Sequence, residues 1–368
     1  MKVFFRNLFT VEVFKFEYGK AMREFICFIL LGVASFSCYA NVERAELAME
    51  NGDYAAAFAI IQPLADGGDP DAINYLANFY DEGIVVDMDL QKALKLYKQA
   101  AELGNVRAQF NLGLSYYAGQ GTDINYELAF KWLLKTAEQG FVPAYDVVGS
   151  MYAKGLGVEK NIQEKIKWYQ LAVEGGSGEA GYVLASMYYY GTDVPKDLPL
   201  AVTYFSKAAN LNNPDAQYSM ALLYAKGEGV ELNNQESMRL LNLAAEQQLV
   251  EAQYYLGEVY RVGQVVKKDP TVSCDWFQLA AEQGHAEAQT KVAYCFFKGA
   301  GKPQNYEEAA HYFLLAAEQG HSTAQYLIGI MYDSGIGLPI DYVEAKKWFS
   351  LSAAKGNAKA KEKLASMK

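Results

Sequence analysis

Small and apolar positions recur along this chain on a fixed beat. Ala72, Ala108, Ala144, Ala180, Ala216, Ala252, Ala288, Ala324 and Ala360 stand 36 residues apart, and Gly83, Gly119, Gly155, Gly191, Gly227, Gly263, Gly299 and Gly335 follow the first eight of them at +11. Large apolar residues sit between them at +4 and +8, as in Leu112 and Tyr116, Leu256 and Tyr260, and Ile328 and Tyr332. Offsets 0, 4, 8 and 11 fall within about 80° on a helix turning ~100° per residue, which predicts a first helix with one buried stripe. Position +5 is always Ala or Gly (Gly113, Ala185, Gly329), so a second helix can approach closely there. The +11 glycine stands where that helix should end in a left-handed residue.

A second helix follows in each period. Offset +17 is Asp or Asn throughout: Asp89, Asn125, Asn161, Asp197, Asn233, Asp269, Asn305 and Asp341. A short side chain accepting a free N–H of the next turn is an N-cap, and Pro270 after Asp269 suits the first helical position. One such oxygen donor per period, with no neighbouring ligands, does not make a cation site. Ala129, Trp132, Leu133, Thr136 and Ala137 then give spacings of 3, 4, 7 and 8, repeated by Ala309, Tyr312, Phe313, Ala316 and Ala317. These are core positions. Gly104, Gly140, Gly176, Gly284, Gly320 and Gly356 close the unit, whereas Asn212 and Gln248 replace that glycine twice and predict different turns there.

A period between 20 and 50 residues signals stacked supersecondary units that bury their apolar faces only against one another. No composition break interrupts the 368 residues, so the beat predicts one array rather than two or three ordinary domains. The eight repeats run over 72–359. Residues 41–71 read as N-terminal capping helices, where Asp53 to Phe58 carries a lone second-helix pattern, and 360–368 as a C-terminal cap. Residues 1–40 form a leader. Its apolar stretch Phe25–Phe36 is too short to span ~30 Å of hydrocarbon, but fits a secretory signal peptide cleaved after Ala40, with Met22 as the start. An uncleaved short anchor is the alternative. Lipidation at Cys38 is disfavoured by the poor match of Ser35-Phe36-Ser37 ahead of it. A periplasmic or secreted location follows, with no stable membrane insertion after cleavage.

The motif of Ala-x3-Leu-Gly-x2-Tyr-x2-Gly-x-Gly-Val, an Asp/Asn cap, then Ala-x2-Trp-Tyr-x2-Ala resembles the Sel1-like repeat, a relative of the tetratricopeptide repeat. Val148-Gly149, Tyr152, Gly155-Leu156-Gly157-Val158, Asn161, Trp168-Tyr169 and Ala172 carry it most clearly. The resemblance covers about residues 45–360. It implies an all-α, right-handed α-solenoid of eight 36-residue helix-turn-helix repeats with terminal capping helices, serving as a protein-binding scaffold and, in many bacterial members, exported. Departures are modest: Val85, Asp193 and Val265 replace the second glycine, and Phe296 the column tyrosine once. A cysteine-rich subgroup linked to penicillin binding and β-lactamase activity carries a cysteine pair in every repeat, and this chain lacks that pairing.

Charge and reactive residues narrow the function further. The formal charge is −10 overall, and with five bases against three acids in the leader the remainder stands at −12. An acidic chain without a basic cluster argues against nucleic-acid binding. Cys274 and Cys295 occupy apolar packing offsets and read as buried thiols, with the alternative that they meet across repeats six and seven. His285 and His321 share one turn offset and read as turn residues. His311 lies beside the core stripe, and a pH-sensitive patch of the three is the alternative reading. The Gly-x-Gly-Val segment follows a helix rather than a strand and so is no phosphate loop. No nucleophile with an oriented base is evident, so the chain reads as non-enzymatic, without cofactor or metal.

What remains is a surface. Offsets +2, +6 and +9 lie at roughly 200°, 240° and 180°, opposite the core stripe. In a stacked array they would line the concave side and should be polar. Instead they hold Phe110, Tyr182, Tyr218, Tyr254 and Tyr326 at +2, Tyr294 at +6, and Tyr117, Tyr189 and Phe297 at +9. Exposed aromatics anchor interfaces. Packing of neighbouring first helices through these rings is the competing reading. The function predicted is an interaction scaffold or adaptor binding a protein or peptide on that face. An envelope hydrolase and a regulator of a membrane sensor are the alternatives.

Overall fold

The computed structural model describes residues 41–367, so the leader, with Met22, Cys38 and the cleavage site after Ala40, lies outside the described residues. Every regular element among those residues is an α-helix. They fall into two compact units divided at residues 168 and 169. The first holds α1 (residues 41–50), α2 (Tyr54–Asp66), α3 (Pro70–Glu82), α4 (Leu90–Glu102), α5 (Val106–Ala118), α6 (Tyr126–Glu138), α7 (Pro143–Lys154) and the opening of α8 (Ile162–Glu174). The second holds the rest of α8, then α9 (Gly178–Tyr190), α10 (Leu198–Asn210), α11 (Pro214–Lys226), α12 (Asn234–Glu246), α13 (Val250–Val262), α14 (Pro270–Glu282), α15 (Ala286–Lys298), α16 (Tyr306–Glu318), α17 (Ser322–Ser334), α18 (Tyr342–Ala354) and α19 (Ala358–Ser366). The N-terminal segment is a helix pair, α1 and α2. Ala45 of α1 is fully buried, and Asp53 caps α2.

Within each unit, helices pack on their neighbours in sequence, and side-chain caps define where each repeat's second helix and most of the first helices start. All eight +17 Asp/Asn residues accept the predicted N–H, at 2.9–3.1 Å: Asp89 from Lys92, Asn125 from Leu128, Asn161 from Glu164, Asp197 from Leu200, Asn233 from Glu236, Asp269 from Val272, Asn305 from Glu308 and Asp341 from Glu344. Each cap's own N–H closes the loop onto the +8 carbonyl, as Asp89 does to Tyr80 at 2.8 Å and Asn233 to Tyr224 at 3.0 Å. The first helices have caps as well, from Asp69, Asn105, Ser177, Asn213 and Asn357. His285 and His321 belong to this set, which corrects their reading as plain turn residues. The Ala288 N–H donates to His285 Nδ1 at 3.0 Å and the Ala324 N–H to His321 Nδ1 at 3.3 Å.

The glycines end the first helices with φ between 65° and 78°, donating back to the +7 carbonyl, as Gly83 does to Phe79. Asn212 and Gln248, expected to alter their turns, take φ 63° and 66°, the same hand as the glycines they replace. The backbone closes identically there, and a side chain bears the left-handed strain of about 1–2 kcal/mol.

The core lies between first and second helices. The nine column alanines are at most 1 % exposed. Phe277, Phe313 and Phe349 of the second helices are also essentially inaccessible, each burial worth about 1.5–3 kcal/mol. Close approach at +5 is real: a methyl on Gly329 would lie 2.7 Å from Phe349, and one on Gly113 2.6 Å from Leu133.

Candidate functional site

The aromatic face is built from rings with one side packed and one side out. Tyr182, Tyr254 and Tyr326 lean on the second-helix phenylalanine of their own repeat, with centroids 5.9 Å from Phe205, 5.7 Å from Phe277 and 5.9 Å from Phe349. Phe110 meets Phe141 at 5.3 Å, and Tyr218 meets Tyr255 at 6.2 Å. At +9, Tyr117 packs on Tyr126, Tyr189 on Tyr190 and Phe205, and Phe297 on Tyr306. Tyr294 meets Phe313 edge-on at 5.3 Å. Eight of the nine are half-buried, and Tyr294 is exposed at 36 %. Among the described residues no two of the nine stack on each other. Within the second unit, Tyr182, Tyr189, Tyr218, Tyr254, Tyr294, Phe297 and Tyr326 form a row of separately supported rings.

The surroundings of these rings are acidic. Tyr254 is pushed up to about 12, by burial first and then by Glu258 and Glu287. Burial followed by Glu287 raises Tyr294, and burial followed by Asp215 raises Tyr182. Tyr189 donates to Glu228 at 3.2 Å, with Lys196 over its ring. His285 stacks on Tyr254 at 4.6 Å, so its cap and the aromatic row meet. His321 Nε2 faces Glu287 at 2.7 Å and its Nδ1 lies 3.0 Å from Thr290. His311 stays exposed beside Tyr312 on α16.

Two features decide what the sequence left open or missed. Cys274 of α14 and Cys295 of α15 form a disulfide, Cα atoms 6.3 Å apart, which corrects the buried-thiol reading in favour of the alternative that they meet across repeats six and seven. Both sulfurs occupy apolar offsets whose side chains converge only when two repeats stack. The second is a glutamine ladder. Gln109, Gln217, Gln253 and Gln289, buried at +1, donate to the last turn of the preceding second helix at Ala101, Ala209, Ala245 and Ala281. Each also accepts, at 2.7–2.8 Å, from the glutamine at +31 of its own repeat: Gln139, Gln247, Gln283 and Gln319. Gln325 keeps the first bond, to Ala317, but Lys355 stands at +31, and the Gln325 Oε1 is buried without a partner. The recurring Gln at +1 and +31 was the available signal.

Two cavities differ in charge. In the first unit a space of about 1070 Å³ is lined by Glu43, Glu46, Asp69 and Asp71 against Arg107. There Tyr75 donates to Glu46 and accepts from Arg107 at 2.9 Å; burial and then Glu46 push its hydroxyl up to about 12. In the second unit a cavity of about 460 Å³ opens among repeats six to eight, with the disulfide and Phe277 in its wall and Tyr294 beside them. Among the described residues no group of three or more His, Cys, Asp or Glu is placed to hold a metal ion, and no helix is long and apolar enough to cross a membrane.

Comparison with known proteins accounts for the beat. The Sel1 repeat model matches at residues 70–105, 106–141, 143–177, 178–213, 214–249, 250–285, 286–321 and 322–357, each range but the third opening two residues before its column alanine. A crystal structure of a Sel1 repeat protein from Oxalobacter formigenes is similar at 32 % identity, covering 85 % of this chain and 91 % of that one, with a TM-score of 0.66. A protective antigen present in uropathogenic Escherichia coli strains, displaying an SLR fold, is similar at 30 % identity over 84 % of this chain and 67 % of that one, with a TM-score of 0.77. No curated protein sequence matches the chain. Sel1 repeats typically build protein-interaction scaffolds, and partners of such repeats are proteins. Eight consecutive matches and an all-α repeat fold place this chain in the Sel1 repeat family.

Proposed function

We propose that this chain is a non-catalytic interaction scaffold or adaptor of the bacterial envelope, periplasmic or secreted, that holds a protein or peptide against the first-helix face of its repeats. The observation that carries the reading is the row of tyrosines at +2. The rings of Tyr182, Tyr254 and Tyr326 are fixed from behind by Phe205, Phe277 and Phe349 and that of Tyr218 rests on Tyr255, while part of each remains accessible. A ring already held in place loses little conformational freedom when it meets a partner, which suits an anchor. The leader's signal-peptide pattern and the Cys274–Cys295 disulfide favour an oxidising compartment. Among the described residues no cluster of metal-ligating side chains favours the hydrolase alternative, and a sensor-regulating role would use the same face on a different partner.

Substitution should separate anchoring from packing at Tyr182, Tyr218 and Tyr254. Phe at all three keeps the ring contacts, and a polar cut at the accessible side is added with Tyr294→Glu. The expected outcome is unchanged thermal unfolding together with at least tenfold weaker retention of a partner captured by cross-linking in intact cells. Full retention by this variant would sink the reading.

A further inference from the structure

The second-unit cavity contradicts the charge of the chain around it. The protein carries −10 overall, yet this cavity presents Arg261, Lys268, Lys291 and Lys298 against one carboxylate, Glu287. Two of those cations are accounted for within the fold. Arg261 and Lys291 both reach Glu258, at 2.6 and 3.1 Å, and Lys291 also lies 3.7 Å from Glu287. His321 engages the same Glu287. Lys268 and Lys298 are exposed and have no carboxylate partner among the described residues. They come from different elements, the turn before α14 and the end of α15. The Lys298 ammonium lies over the Phe297 ring, 5.9 Å from its centroid.

The rest of the wall is apolar or neutral. The Cys274–Cys295 disulfide and Phe277 supply buried surface, and the Ser273 and Thr290 hydroxyls in the wall already donate to the Gly257 and Ala286 carbonyls. Tyr294 adds an accessible ring. A volume of about 460 Å³ lies within the roughly 300–1,000 Å³ of small-ligand sites, enough for two or three side chains. We propose that this cavity is a recognition site for an acidic peptide segment, with a glutamate or aspartate carboxylate taken between Lys268 and Lys298 and a neighbouring apolar side chain against Tyr294 and the disulfide wall. Charge complementarity selects the carboxylate. The disulfide ties α14 to α15 and so holds two walls at fixed separation before any ligand arrives.

This assignment rests on the scaffold reading and names the chemistry of its ligand. The probe is a fluorescein-labelled octapeptide alternating glutamate and leucine, followed by anisotropy on the mature chain at 50 and 300 mM salt. Matched peptides carry glutamine or lysine in place of glutamate. The glutamate peptide should bind at least tenfold tighter than the other two and weaken with salt. The double variant Lys268→Glu/Lys298→Glu, which breaks no ion pair or hydrogen bond among the described residues, should lose at least tenfold with unchanged thermal unfolding. Equal binding of the glutamine peptide, or full binding by the double variant, overturns the proposal. Displacement of the peptide by equimolar inorganic phosphate would make this a small-anion site and overturn it too. If the peptide fails but cross-linked partner capture survives the double variant, this inference falls and the scaffold reading stands.

Discussion

At the scale of single residues, the glutamine ladder shows how one position decides the satisfaction of another. Gln289 Oε1 is paired because Gln319 reaches it, and Gln325 Oε1 is orphaned because Lys355 reaches the Gly320 carbonyl instead. An unsatisfied buried acceptor costs about 1–3 kcal/mol. Lys355→Gln should therefore stabilise the protein by about 1 kcal/mol, read as a raised urea midpoint without change of slope. The same substitution made where a glutamine pair already exists has nothing to restore. The tyrosines give a second residue-scale prediction. Tyr75 and Tyr254 are held neutral up to about 12, two units above a free tyrosine. The unfolded chain loses these protons first, so their contribution is complete below pH 10 and is lost as pH rises towards 12. Urea titrations at pH 9 and 11 should show that loss, and Tyr254→Phe should make it smaller. A loss unaltered by Tyr254→Phe would place its origin elsewhere.

At the scale of elements, the helix borders were legible in sequence and the surfaces between helices were not. A cap at +17 acts on its own next turn, and all eight behave as their spacing implies. The +11 glycines are equally local. The aromatic face was estimated from the geometry of a single helix, which puts +2 opposite the core and in solvent. Phe205, Phe277 and Phe349 come from the second helix of the same repeat and cover one side of Tyr182, Tyr254 and Tyr326, and a single-helix projection does not contain them. The disulfide stood only as the alternative reading for a similar reason: its two offsets are apolar in the other repeats, and only stacking of α14 on α15 brings the sulfurs together. Closing a loop between cysteines 21 positions apart is worth about 3 kcal/mol on the chain-entropy account. Cys274→Ala/Cys295→Ala should lower stability by up to that amount and speed amide exchange over residues 270–298, with exchange over 90–118 unchanged. Equal protection over 270–298 in both proteins would show the bridge to be mechanically idle.

At the scale of the whole chain, eight uninterrupted periods state the fold plainly, because one unit's solution is used eight times. Function was less readable for the same reason: what repeats serves packing, and what varies has to be placed in three dimensions. Lys268 and Lys298 lie in turns and helix ends of different repeats, and nothing along the sequence marks them as neighbours of one cavity. The glutamine ladder carries one more consequence. Both members of each pair, such as Gln253 and Gln283, lie inside a single matched segment, while the bond to the preceding helix needs only a backbone carbonyl. A segment copied as a block from 250 to 285 therefore brings its complete side-chain pair with it and asks nothing specific of the residue it lands beside. The array can lengthen or shorten by whole modules, at the genetic level, without rewriting its joints.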